Sequence, residues 1–222
     1  MPIYNLVYWI QTTPPWPIPI EYQEVEYIES SWTQYINTWL RISDGYRFVS
    51  KLLVTTAWTG SWSMITWGYL WYFWGIYYRL YFWWIGGNQW SWWTYGYLNQ
   101  FSNGWLSTAS LNTIYDVDFS WISGNSYIEV NNTSLFSSSD TYSYTSNYIC
   151  PLFAINEVWA INISNWLRVY SAKYYNSNDE LVRDFVPCYR KNDNVIWMYD
   201  IVNNVFYTNL WTWTFTKWPD VN

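Results

Sequence analysis

The sequence predicts an all-β chain, an antiparallel sandwich or barrel, on three observations. Short runs alternate polar and apolar residues at period two, as half-buried strands do. No stretch sustains a 3.6-residue apolar period, while β-branched and aromatic residues abound and Ala and Leu are scarce. Polar turn residues separate the runs at short intervals.

Residues 1–20 form an N-terminal arm. Pro14, Pro15, Pro17 and Pro19 forbid helix and central strand there, so an extended, stiff segment is expected. The arm has no charged side chain and carries Tyr4, Leu6, Val7, Tyr8 and Ile10 ahead of the prolines. Such an apolar strip is expected to dock on the sandwich or on a partner chain. Residues 21–222 form the β domain. Its first runs are 24–29, 33–38 and 46–56, the last with Arg47 and Lys51 marking an exposed face. Runs at 115–119, 126–130, 149–155, 165–174 and 180–186 follow. Residues 195–200 and 205–208 close the chain as a hairpin about Asn203-Asn204, because asparagine tolerates the left-handed turn conformation. The polar stretch 137–147 reads as a surface loop.

Composition removes several functions. With no histidine among 222 residues, Ser-His-Asp triads, Cys-His pairs and His-ligated zinc are excluded. Ten Lys and Arg against 16 Asp and Glu, net −6, make a poor polyanion binder, so nucleic acid is not an expected partner. Cys150 and Cys188, each beside a proline, read as buried free thiols, with a disulfide in an oxidising compartment as the alternative. The opening residues lack a basic segment and run soon into prolines, so no secretory signal is read there. Residues 64–87 carry Arg79 as their one charge and are long enough to span a bilayer. Their Trp, Tyr and Gly content favours interfaces, and Arg79 at the midplane costs about 2.5–3.5 kcal/mol, so no membrane insertion is expected.

The 22 tryptophans outnumber the nine glycines. Several stand where turns call for glycine, as in Trp211-Thr212-Trp213 and Trp218-Pro219.

Two segments carry a resemblance. The first is Tyr22-Gln23-Glu24-Val25-Glu26-Tyr27-Ile28-Glu29-Ser30-Ser31-Trp32, continuing to Trp39. The second is Leu181-Val182-Arg183-Asp184-Phe185-Val186-Pro187-Cys188-Tyr189-Arg190-Lys191, followed by residues 193–200 and by Phe206-Tyr207-Thr208-Asn209. Both resemble the concanavalin A-like, laminin-G-like jelly-roll domains of gut bacterial surface proteins and phage structural proteins; residues 57–147 match loosely. The resemblance implies a jelly-roll β-sandwich located on a virion or at the cell surface. It implies a non-catalytic carbohydrate-binding or adhesion module of a tail, fibre or surface protein, with glycans and other virion or surface proteins as partners. A purely structural assembly or decoration domain is the alternative, and a glycoside hydrolase of the same fold the less favoured one. Where the resembled pattern has glycine, this chain has Trp32, Trp39, Trp197, Trp211, Trp213 and Trp218. Some bacterial lineages and their phages read UGA as glycine, and a translation reading UGA as tryptophan produces this text. Restoring all 22 to the nine present gives at most 31 glycines.

Glucanases of that fold place Glu-x-Asp-x-Glu on one strand, so that all three carboxylates share a face. Here Glu24 and Glu26 share a face, but Glu29 has the opposite parity. Asp116 and Asp118 share a face, but Ser120 follows. No catalytic residue is assigned, no enzyme is expected, and both pairs read as solvated strand faces. No cofactor is expected, with calcium left open because laminin-G-like domains often bind it through loop oxygens. Asp179, Glu180, Asp193 and Asp200 are the candidates, though no Asp-x-Asp-x-Asp-Gly run exists. Asn131-Asn132-Thr133-Ser134 contains glycosylation sequons that read as turn residues, and Arg183-Asp184 reads as structural pairing or packing. Sugar recognition needs aromatic platforms and planar polar groups. Tyr, Asn and Gln supply these in plenty, and if the tryptophans are glycines, tyrosine must serve.

Overall fold

The computed structural model describes residues 18–32, 34–41, 45–55, 63–64, 67–68, 79–86, 89–95, 104–139, 141, 149–157, 160–162, 165–210 and 214–221. Among them the only regular elements are strands. The first eight are β1 (Tyr22–Trp32), β2 (Ile36–Arg41), β3 (Arg47–Val54), β4 (Ser63–Met64), β5 (Trp67–Gly68), β6 (Arg79–Gly86), β7 (Gln89–Tyr95) and β8 (Gly104–Ala109). Next come β9 (Ile114–Ile122), β10 (Asn125–Val130), β11 (Thr133–Ser138), β12 (Ile149–Leu152), β13 (Ile155–Glu157) and β14 (Ala160–Asn162). The last five are β15 (Asn165–Tyr175), β16 (Leu181–Arg190), β17 (Ile196–Asp200), β18 (Val205–Thr208) and β19 (Thr216–Asp220).

The chain is all-β and sandwich-like. A ten-stranded sheet runs β11-β10-β9-β3-β15-β1-β16-β17-β18, with β19 on β1. All its pairings are antiparallel. β12-β2, β14-β13-β5 and β4-β6-β7-β8 form smaller sheets, of which β13–β5 is a parallel pair. β1 pairs with β16 through residues 22–24 and with β15 through 28–32, so one strand serves both neighbours in succession.

Alternation builds the core. Phe48, Ser50 and Leu52 of β3, with Tyr115, Val117 and Phe119 of β9, turn inward. The register sets Phe48 between Phe119 and Tyr174. Ring contacts continue from Phe48 to Tyr174 at 4.9 Å, Tyr174 to Phe185 at 6.3 Å and Phe185 to Tyr207 at 5.1 Å. Ile36 and Leu40 of β2 and Cys150 and Leu152 of β12 join the same core cluster, so the small sheet covers the inner face of the large one.

Most expected strands are present, with shifted ends. The run 149–155 breaks at Phe153, whose φ is 65° and whose ring is fully buried against Phe215. The run 180–186 extends to Arg190 through Pro187. The closing hairpin turns at 201–204 with Asn204 at φ 55°. Residues 137 and 138 belong to β11 rather than to the expected loop, and β19 had no sequence signal. Cys150 and Cys188 are buried and free, as the simpler reading held. Within the membrane-like stretch, residues 79–86 are a strand, and no helix among the described residues is long and apolar enough to cross a membrane. Residues 1–17 of the arm lie outside the described residues.

Candidate functional site

Two tight turns hold β9, β10 and β11 together. Gly124 sits at φ 79°, which glycine adopts without strain, and closes β9 onto β10, where Ile122 faces Asn125. Asn131 and Asn132, at φ 50° and 59°, form the turn from β10 to β11, where Val130 faces Thr133. These are the sequon asparagines, and they serve as turn residues.

The outward parity of these strands gathers a polar cluster. Asp116 and Asp118 point out from β9, Tyr127 and Glu129 from β10, and Arg47 from the start of β3. Register places Asp118 beside Glu129 and Arg47 beside Tyr175. Arg47 grips Asp118 with two nitrogens, Nε to Oδ1 at 2.9 Å and Nη2 to Oδ2 at 2.7 Å. Its Nη1 reaches Asp179 Oδ1 at 2.9 Å, and its guanidinium lies 5.0 Å from the Tyr175 ring centre. The hydrogen bond to Asp118 raises the Arg47 pKa, with the Asp179 bond adding to it, so the cation is permanent. Burial, then the nearby Asp118 charge, lifts the Tyr127 phenol above the usual tyrosine value.

Beside this cluster lies an open hollow of about 580 Å³. Asn125, Tyr127, Glu129, Ser134, Ser137 and Ser139 line it. It offers one aromatic ring, one carboxylate, one amide and several hydroxyls, and no tryptophan lines it.

The residues singled out from sequence fall elsewhere or take other roles. Asp118 is not a solvated strand residue: its side chain is 22% exposed and ion-paired. Glu24 and Glu26 are exposed together, while Glu29, of opposite parity, binds Arg168 at 2.7 Å. Among the calcium candidates, Asp179 is held by Arg47, Glu180 by Asn176 at 2.7 Å and Asp193 by Arg190. Asp200, fully buried, accepts from the backbone N–H groups of Asp184 and Val202, both at 3.1 Å, and from Asn203 Nδ2 at 2.6 Å. Among the described residues no three Asp, Glu, Cys or His side chains gather as a metal would need. Arg183 and Asp184 do not pair with each other, because neighbours on a strand face opposite ways. Arg183 pairs with Asp200 at 3.4 Å and Asp184 with Lys173 at 3.0 Å.

Sequence reasoning passed over Tyr127 and Glu129. The available signal was the outward parity of 127 and 129, bracketed by the Gly124-Asn125 and Asn131-Asn132 turns. No known protein family, curated protein or solved structure matches this chain.

Burial also sets an alkaline limit. It lifts the phenols of Tyr35, Tyr127 and Tyr207, and pushes the Cys188 thiol up to about 12. The unfolded chain releases these protons at the ordinary values, while the folded chain keeps them. Stability from these groups is therefore complete below their unfolded values and is lost as pH rises above them. Denaturant midpoints are expected to hold level from about pH 7 to about 9 and then fall. A flat profile to about pH 11 contradicts this burial.

Proposed function

We propose that this chain is a non-catalytic glycan-binding module of jelly-roll type, and that the hollow beside Tyr127 receives the sugar. The observation that carries the reading is the hollow itself, in which a tyrosine ring stands among hydroxyl, amide and carboxylate groups. Sugars combine apolar C–H faces with hydroxyls, and this pairing of a ring with directional polar groups suits both. Asp118, clamped by Arg47, serves as a fixed acceptor rather than a free base or nucleophile. Attachment to a virion or cell surface follows from the sequence resemblance.

Local charge narrows the ligand. Arg47 is shared by Asp118 and Asp179, Lys51 stands opposite Asp116 in the register of β3 and β9, and Glu129 adds a further carboxylate at the hollow. Neutral glycans fit this balance, and sialylated or uronic acid-bearing ones meet repulsion. A glycan array is expected to return neutral structures. Acidic structures alone contradict the charge argument. An array with no binder favours the second reading, an assembly domain, which the 88% exposure of Ile20 and the 51% exposure of Leu210 support.

A further inference from the structure

We infer that position 39 carries glycine in the protein made by its own source, its codon being read as glycine rather than tryptophan. Trp39 has φ 61° inside β2, where the register to β12 slips: Asn37 pairs with Pro151 and Arg41 with Ile149, so three residues of β2 face one of β12. A left-handed residue in a strand bulge is a glycine setting, because a Cβ there crowds the backbone. The irregularity is fixed by neighbouring side chains. The Trp39 N–H donates to Asn37 Oδ1 at 2.8 Å, and the Thr38 hydroxyl donates to the Cys150 carbonyl oxygen.

The other non-glycine residues at positive φ, among the described residues, sharpen the contrast. Six are Asn or Asp, whose short side chains tolerate it: Asn112, Asn131, Asn132, Asp179, Asn194 and Asn204. Phe153 is the remaining one, and its ring is fully buried, which offsets the strain. Trp39 has no such return, being 67% exposed.

Trp121 is a site where an indole belongs, 4% exposed and packed on the rings of Phe119 and Tyr46. Trp197 also uses its ring, which lies edge-on to Tyr22 and Phe206 at 6.5 and 5.5 Å with the Arg190 guanidinium 5.3 Å from its centre. Of these three, Trp39 alone combines a left-handed backbone with a ring left in water.

Two measurements test this. Peptide mass sequencing of the protein isolated from its source is expected to read glycine at 39 and tryptophan at 121. Tryptophan at 39 overturns the inference. Separately, Trp39→Gly in the chain as written is expected to raise the folded-to-unfolded ratio several-fold, up to about tenfold, while Phe153→Gly lowers it. A Trp39→Gly protein less stable than its parent overturns the glycine assignment at that position.

Discussion

Replacing Phe48 by alanine is expected to lower stability by about 3–5 kcal/mol and the melting temperature by roughly 10 °C or more. Phe48 is fully buried and lies mid-sheet, with Phe119 on one strand and Tyr174 on the other directly beside it. Removing its ring leaves a cavity at the head of the chain of rings running to Tyr207, and the backbone is paired on both sides, so collapse is restricted. Phe48→Leu keeps most of the volume and is expected to cost less, about 1–1.5 kcal/mol. Thermal melts of both variants check the order. Equal effects from the two would mean that this region is not closely packed.

Asp200→Ala is expected to cost about 3–5 kcal/mol. The carboxylate is fully buried and gathers the N–H groups of Asp184 and Val202, the Asn203 amide and the Arg183 guanidinium. Alanine removes the acceptor of the buried Asp184 N–H and the charge partner of Arg183 beneath the β17–β18 turn, while the exposed Asn203 amide keeps the Val182 carbonyl; a stranded buried donor costs more than its bond contributed. Asp200→Asn retains one carbonyl acceptor and is expected to fall between. Glycan affinity of the folded fraction is expected to stay unchanged, because none of these groups lines the hollow. A loss of affinity without loss of stability would move Asp200 into the ligand site.

The strands around the hollow were legible because period-two alternation survives wherever one face is buried, as in 115–119 and 126–130. Strand ends were less legible. Pro187 reads as a breaker, yet it lies inside β16, where pairing to β15 has already ended at Phe185. The site was hard to see for a different reason. Arg47, Asp118, Tyr127 and Asp179 come from distant parts of the chain, and only register brings them together. The sequence gives Asp118 its outward face but no hint that Arg47 lies beside it. Asp200 shows the same limit. As an acidic residue at a loop edge it reads as a calcium ligand, whereas the fold satisfies its oxygens with protein donors.

The most direct test of the glycan-site reading is a titration of array-selected neutral glycan against the unaltered protein and Tyr127→Ala, with melting curves for both. Tyr127 is half-buried on an outward strand face, so its removal is expected to leave the fold standing. The account predicts saturable binding that weakens at least tenfold in the variant, a loss of about 1.4 kcal/mol. Binding of equal strength in the two proteins would contradict it and place the sugar elsewhere on the molecule.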